Sequence, residues 1–241
     1  MAKRKNRAAS TMSQKQPAVA YEDKNILAIN KPAGILVHHN ANSKSAGENT
    51  LADWLLANYP EVKGVGDSAE RPGIVHRLDK ETSGLMLIAK NQKTFDYLKS
   101  LFQSHQIKKN LPSLGLGEPK EKKGIIDNPI GLKAGTVKHT IHGGKMIKPA
   151  ITFFRIIKTE ETPEGKISFL EVMPKTGRTH QIRVHLKSIG NPVLGDKLYG
   201  SKDDGFNRLM LHSYSLEFKN PEGKMLKIEI EPPEEFKSRI V

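Results

Sequence analysis

Residues 71–85 read RPGIVHRLDKETSGL, a run of polar side chains held between two short apolar segments. Ile74-Val75 and Leu85-Met86-Leu87-Ile88 are predicted to be strands, and Gly84 permits a sharp return of the chain into the second one. The cations that flank Asp79 favour its ionised form, and an ionised carboxylate can act as a nucleophile or as a general base. The residue types alone favour a plainer interpretation, a charged hairpin tip in which Asp79 caps the turn.

Residues 175–185 read KTGRTHQIRVH and are predicted to begin a helix, with the Thr179 hydroxyl as its N-terminal cap. The N-terminus of that helix would be a site for an anion. His180 and Arg183 are three residues apart and share one face, so the arginine can pair with a carboxylate or a phosphate. Gly190 is the predicted stop of the helix. Composition leaves open an ordinary capped helix with a solvated arginine.

The remaining segments predict an α+β fold with a mixed, largely antiparallel sheet, because strands and helices follow one another without regular βαβ alternation. The Lys-rich residues 108–123 are predicted to be a loop, and residues 191–200 a structural connection. The other predicted elements are a hairpin over 21–29, a strand over 35–38, a helix capped by Thr50, a helix over 91–104, strands over 151–157 and 167–172, and a last strand over 209–218.

The charge balance favours a polyanionic partner. The 241 residues include 39 Lys and Arg against 26 Asp and Glu, a net charge of +13. Each phosphate that a protein neutralises releases condensed counterions, so such a surplus favours nucleic acid, although a basic protein with solvated lysines has the same composition. Residues 1–17 are basic and free of acid, which predicts a disordered arm that scans phosphates or a solubilising tail.

Several kinds of site are missing from the sequence. There is no Cys, which excludes disulfides, thiol nucleophiles and cysteine metal ligands. Phosphate-binding loops ending in Gly-Lys-Ser/Thr, dinucleotide fingerprints and His-Glu-x-x-His spacing are also absent, so we expect no cofactor and no metal. No apolar run is long enough to span a membrane and the N-terminus lacks the apolar core of a secretory signal. A cytoplasmic protein is therefore expected.

Five segments together resemble the RluA-type pseudouridine synthases, and they occur in that family's order. They are residues 31–38 (KPAGILVH), 71–91 with HRLD followed by TSG, 177–186 (GRTHQIRVHL), 195–200 (GDKLYG) and 211–213 (LHS). The resemblance implies that residues 18–241 form the pseudouridine-synthase catalytic domain, with a long mixed, mainly antiparallel sheet, flanking helices and a central cleft.

The resemblance also implies a reaction, an RNA partner and roles for particular residues. A uridine in structured rRNA or tRNA is detached from its ribose at N1, turned and rejoined through C5, without a cofactor. The family's catalytic aspartate corresponds to Asp79, and the arginine paired with it corresponds to Arg183. Arg77 is similar to an arginine that takes over the space of the flipped base. The other residues expected to contact RNA are His76, Thr82, Arg178, His180 and Gln181. A monomer is the default expectation.

The chain departs from the family pattern at Leu111. The family has a tyrosine there, which is thought to stack on the base and to assist proton removal from C5. Pro112 and Gly115 also weaken the strand that the family forms at this point. The alternative to an active isomerase is therefore a catalytically impaired protein on the same fold that binds or folds RNA. A hydrolase that uses Asp79 with Glu81 as a carboxylate pair is a weaker third hypothesis.

Overall fold

The computed structural model describes residues 16–39, 49–163, 165–200 and 204–237. The predicted basic arm over residues 1–17 lies outside these ranges except for its last two residues. The α-helices are α1 (Leu51–Asn58), α2 (Gln92–Gln103), α3 (Gln181–Ser188) and α4 (Glu234–Lys237). The strands are β1 (Ala18–Glu22), β2 (Ile26–Lys31), β3 (Ser83–Ala89), β4 (Lys108–Leu116), β5 (Lys123–Asp127), β6 (Ile130–Leu132), β7 (His139–Thr140), β8 (Lys145–Lys148), β9 (Ile151–Thr162), β10 (Gly165–Pro174), β11 (His212–Ser213), β12 (Ser215–Lys219) and β13 (Met225–Glu229).

The strands of the described residues form three sheets. A four-stranded sheet has the order β1-β2-β3-β11, a six-stranded sheet has the order β13-β12-β4-β10-β9-β5, and a small sheet has the order β7-β6-β8. Among the strands of these described ranges, only β3 and β11 pair in parallel; the other pairs are antiparallel. The prediction of an α+β fold with a mixed, mainly antiparallel sheet is confirmed. Within these ranges, no helix combines the length and the apolar character that crossing a membrane requires.

Strand β3 positions the segment that carries Asp79. All seven of its residues are buried, because β2 and β11 pair with its two edges and side chains pack on both of its faces. Gly84 lies at its start with φ of +119°, and a Cβ there would collide with the backbone of Ser213. The close parallel contact with β11 therefore requires a glycine at this position. Asp79 lies four residues before the start of this anchored strand.

The prediction of a loop over residues 108–123 is wrong for residues 108–116, which form strand β4 inside the larger sheet; residues 117–122 do connect two strands, β4 and β5. Pro112 pairs with Glu171 of β10 in the strand register. Leu114 donates its N–H to the carbonyl of Met210, on the side of β4 that faces away from β10. N–H groups of residues two apart point to the same side of a strand, so position 112 also faces away from β10. The proline therefore removes no hydrogen bond between β4 and β10.

Three further sequence predictions fail for reasons of packing. Residues 35–38 form no strand, because the carbonyls of Leu36 and Val37 accept hydrogen bonds from the first N–H groups of α1. Residues 209–218 are divided between two sheets: β11 pairs with β3, and β12 pairs with β4 and β13. The helix predicted to be capped by Thr179 begins at Gln181 with His180 as its N-cap, and no side chain forms a cap hydrogen bond there. The anion site proposed for a Thr179 cap therefore loses its structural basis.

Candidate active site

All eight residues that the sequence singled out line one cavity of about 510 Å³. Three parts of the chain form most of its lining: the segment between residues 75 and 82, the segment between residues 102 and 111, and the segment between residues 174 and 183. The first segment leads into β3, the second runs from α2 into β4, and the third joins β10 to α3. Residues that are far apart in sequence thus meet where the two larger sheets adjoin.

Arg183 links two carboxylates within this cavity. Its Nε and Nη2 atoms each donate to an oxygen of Asp196 at 2.7 Å, and its Nη1 atom donates to Oδ2 of Asp79 at 3.3 Å. The Asp196 side chain is fully buried, whereas 19% of the Asp79 side chain is exposed. The backbone N–H groups of Leu198 and Tyr199 also donate to Asp196, at 3.0 Å each. Asp196 therefore holds the guanidinium, and Asp79 stays partly exposed to the cavity.

The paired charges stay ionised in spite of their burial. Burial acts to lower the pKa of Arg183, but its hydrogen bond to Asp196 and the charges of Asp196 and Asp79 outweigh this and raise the pKa above its ordinary value. Burial acts to raise the pKa of Asp196, but the same hydrogen bond and the Arg183 charge leave the pKa lowered. A permanent cation is thus fixed 3.3 Å from the Asp79 carboxylate, a group that can act as a nucleophile or as a base.

His180 approaches the same oxygen of Asp79 from the start of α3. Its Nε2 atom lies 4.0 Å from Asp79 Oδ2, and its Nδ1 atom lies 2.9 Å from the hydroxyl of Tyr199. The backbone of His180 has φ of +55°, in the left-handed region that is uncommon for residues other than Gly. Burial lowers the pKa of His180, which Asp79 opposes. We call Asp79, His180 and Arg183 together the carboxylate wall.

The loop behind Asp79 is tied to the turn that follows β2. The carbonyl of Lys80 accepts hydrogen bonds from the Gly34 N–H at 2.8 Å and from Nζ of Lys31 at 3.1 Å. The fully buried Lys31 also donates to the carbonyls of Pro32 and Ile35. Its pKa falls to about 7, mainly because of burial. The segment over residues 31–38 therefore supports the site indirectly, because it holds the backbone next to Asp79 in place.

A second wall of the cavity, which we call the β4 wall, consists of Lys109 and Leu111 with Phe102 of α2 beside them. Residues two apart on a strand share a face, so both β4 side chains point the same way. Nζ of Lys109 lies 6.0 Å from the centre of the Phe102 ring. Burial lowers the pKa of Lys109 to about 8. This wall is mainly apolar and carries one cation.

The other predicted RNA contacts differ in how much of each side chain remains available. Arg77 is exposed, whereas Thr82 and Gln181 are buried. Gln181 donates to the Thr152 hydroxyl and to the Ile151 carbonyl. It also accepts a hydrogen bond from the Arg178 N–H, so its role is to hold the start of α3 in place. Arg178 is half-buried and donates to the carbonyl of Pro149.

His76 is committed to internal contacts. Its Nε2 atom accepts a hydrogen bond from the Leu87 N–H at 2.8 Å, and its ring stacks on Phe102 with 4.3 Å between the centroids. Burial, with a smaller effect of the Lys109 charge, lowers the pKa of His76 to about 3. The ring is therefore neutral and joins the loop before Asp79 to β3.

The sequence did not assign roles to Asp196, Tyr199 or Lys109. Asp196 and Tyr199 belong to the GDKLYG segment, for which a structural connection was the favoured interpretation. An aspartate between Gly195 and a tyrosine was the only local signal, and turn chemistry explains it equally well. Lys109 was hidden in the segment predicted to be a loop. Among the described residues, no group of three or more His, Asp or Glu side chains is placed to hold a metal ion.

Comparison with known proteins places this geometry in a family. A family model described as RNA pseudouridylate synthase matches residues 25–188. An uncharacterized RNA pseudouridine synthase of Aquifex aeolicus is 40% identical over 230 residues, covering 91% of this chain and 71% of that protein. Ribosomal large subunit pseudouridine synthase D of Borreliella burgdorferi is 36% identical over 222 residues, covering 91% of this chain and 66% of that protein.

Solved structures agree with the fold. The human RNA pseudouridylate synthase domain containing 1 superposes with a TM-score of 0.73 at 25% identity, covering 90% of this chain and 84% of that one. The human RNA pseudouridylate synthase domain containing 4 gives a TM-score of 0.72 at 24% identity, covering 92% of each chain. With the matched family model and relatives, these likenesses lead to one conclusion: the chain belongs to the RNA pseudouridylate synthase family, of the RluA type.

Proposed function

We propose that this protein isomerises uridine to pseudouridine in rRNA or tRNA, with Asp79 as the catalytic residue. The observation that carries the proposal is the contact of a partly exposed Asp79 carboxylate with the buried Arg183, inside a cavity of about 510 Å³. That volume lies within the range of about 300–1,000 Å³ typical of ligand sites. Arg183 acts through Asp79 and is a positioning residue.

The reaction needs a flipped nucleotide and an ionised carboxylate. Extruding a base costs roughly a few kcal/mol, which cations that hold the RNA phosphates can offset. The N1–C1′ bond then breaks, the uracil turns, a C5–C1′ bond forms, and the proton lost from C5 is balanced by one gained at N1. Asp79 can add to the substrate as a nucleophile or remove the C2′ proton as a base. Both routes use the carboxylate that Arg183 contacts at 3.3 Å.

The cations around the cavity support an RNA substrate. Arg77 and Arg178 line the cavity, and the chain as a whole carries a net charge of +13.

We propose that residues 18–241 act as one catalytic domain, that residues 1–17 form a basic arm, and that the protein works as a cytoplasmic monomer. Measuring the molar mass of the purified protein in solution, with and without RNA, tests whether the protein is a monomer.

Pseudouridine mapping tests the function directly. Total RNA from a strain that lacks the gene is incubated with the wild-type protein or with Asp79→Asn, and pseudouridine is mapped on rRNA and tRNA. We expect the wild-type protein to restore modification at defined sites, and Asp79→Asn to lose at least about a thousandfold in rate while retaining RNA binding. The proposal fails when no site gains pseudouridine, or when Asp79→Asn matches the wild-type rate.

Leu111 favours a second candidate, an impaired protein that binds RNA without isomerising it. Leu111 lies in the β4 wall, so an apolar side chain occupies a cavity position where the family has a tyrosine. Steep salt dependence of RNA binding without any pseudouridine formation would support this candidate. The variant Leu111→Tyr is the decisive control: activity gained only with the tyrosine supports the impaired protein, and turnover by the wild-type chain excludes it.

A further inference from the structure

The Tyr199 side chain connects the small β7-β6-β8 sheet to the carboxylate wall. Its hydroxyl oxygen accepts a hydrogen bond from the backbone N–H of His139, in β7, at 2.7 Å. The same hydroxyl lies 2.9 Å from Nδ1 of His180. Tyr199 is buried and is not among the described residues that line the cavity. Its hydroxyl contacts the cavity lining through His180.

The hydrogen-bond pattern determines which nitrogen of His180 carries hydrogen. The His139 N–H can only donate, so the Tyr199 oxygen accepts from it and its own hydrogen is left to donate elsewhere. In the described part of the chain, Nδ1 of His180 is the one acceptor bonded to this hydroxyl. A buried hydroxyl hydrogen without an acceptor is costly, so Nδ1 accepts the bond and the neutral ring carries its hydrogen on Nε2.

The Nε2 hydrogen of His180 then points towards the carboxylate. Nε2 lies 4.0 Å from Oδ2 of Asp79, the oxygen that Arg183 also contacts at 3.3 Å. At 4.0 Å the pair is longer than a hydrogen bond, and contacts of this length in a free active site can tighten to a hydrogen bond when substrate binds. Two donors would then hold Oδ2, which leaves Oδ1 of Asp79 as the oxygen presented to the substrate.

We propose that Tyr199 is a positioning residue that fixes His180 in the tautomer with hydrogen on Nε2, and that this tautomer orients the Asp79 carboxylate for reaction. The left-handed backbone of His180 supports the assignment, since such strained conformations persist where the surrounding structure holds them for a function. The kinetic part of the inference rests on the proposed isomerase function. The tautomer itself is a property of the free protein.

Nitrogen NMR of the histidine rings tests the tautomer without any activity measurement. The protein is labelled with ¹⁵N-histidine, and the His180 signals are identified by their loss in His180→Gln. We expect a neutral ring with hydrogen on Nε2 in the wild-type protein, and a mixture of tautomers or the reverse tautomer in Tyr199→Phe. Hydrogen on Nδ1 in the wild-type protein, or an unchanged ring in Tyr199→Phe, would overturn the proposal.

Kinetics test whether the tautomer matters. Tyr199→Phe keeps the ring, whose centre lies 5.1 Å from Cζ of Arg183, and removes only the hydroxyl. We expect kcat to fall by about tenfold to a hundredfold with little change in KM. The matched control is Tyr97→Phe, which likewise removes one tyrosine hydroxyl. The Tyr97 hydroxyl donates to backbone carbonyls, and the residue lies on α2 outside the cavity lining. This control should keep the wild-type kcat.

A double-mutant cycle separates positioning from a general structural role. His180→Gln has no tautomers and can still present an N–H group towards Asp79. In that background, Tyr199→Phe should change kcat by less than about threefold. An equal loss in both backgrounds would show that Tyr199 only stabilises the fold. If the wild-type protein forms no pseudouridine, the proposed function fails, and the NMR measurement still decides the tautomer.

Discussion

The carboxylate wall and the β4 wall line the same cavity but are fixed in different ways. Arg183 bonds to two carboxylates, and His180 is held through Tyr199. On the β4 wall, Lys109 has an aromatic ring 6.0 Å away and Leu111 is held by apolar packing. Interlocking ionic contacts fix atom positions, which bond-making chemistry requires, whereas apolar packing fixes shape. We therefore expect changes to the carboxylate wall to reduce kcat, and changes to the β4 wall to reduce binding.

The largest expected effect comes from separating Arg183 from its buried partner. Asp196→Asn leaves a buried guanidinium without its bidentate carboxylate, which should cost about 3–5 kcal/mol of stability and reduce kcat. Urea denaturation and single-turnover rates measure the two effects. The matched control is Glu171→Gln, which removes the charge partner of the 57% exposed Arg155 and should cost less than about 1 kcal/mol. Equal losses of stability for Asp196→Asn and Glu171→Gln would contradict the prediction that the buried Arg183–Asp196 pair contributes more than the exposed pair.

An intermediate effect should appear in the pH dependence of stability, through the lysine that supports the carboxylate wall. Burial lowers the pKa of Lys31 from 10.5 to about 7. Between these values the unfolded chain holds the proton more tightly than the folded one, so stability should rise with pH across this window. Below about pH 7 both states are protonated and the cost of burying the charge is fully present. The expected rise is about a few kcal/mol.

Urea denaturation between pH 7 and 10, for the wild-type protein and Lys31→Met, isolates this effect from other titrating groups. The difference between the two stability curves should change across the window, because only the wild-type chain carries the titrating amine. Parallel curves would show that Lys31 stays charged in the folded protein.

The smallest expected effect belongs to the β4 wall. Lys109→Met should weaken RNA binding by about tenfold and reduce the slope of log affinity against log salt by about 1, with kcat unchanged. Because burial lowers the pKa of Lys109 to about 8, wild-type affinity should also fall as pH rises through that value, and the variant should lack this fall. Lys108→Met is the control, since Lys108 is exposed and pairs with Glu217. A fall in kcat for Lys109→Met would contradict the prediction that the carboxylate wall determines kcat and the β4 wall determines RNA binding.

Strand β4 is one element whose secondary structure the local sequence pattern failed to predict. Pro112 and Gly115 made residues 108–123 a predicted loop, because both residues disfavour a strand when judged locally. Position 112 faces away from β10, and a Cβ at Gly115 would collide with the side chain of Asn191. Both residues are therefore compatible with this strand for reasons that lie in distant segments. Thr179 failed as a cap for the same kind of reason, because His180 occupies the cap position with a left-handed backbone.

The sequence by itself determined the family, the α+β class and eight of the residues that line the cavity, because these depend on residue types in fixed local patterns. Only the tertiary structure decided which side chains and backbone groups each of these residues bonds to. Asp196 and Tyr199 acquire roles because the chain brings residues 196–199 against α3, and Lys31 does so because its amine reaches the Lys80 carbonyl. Hydrogen bonds and ion pairs act over a few ångströms, and no local pattern records which distant segments come within that range.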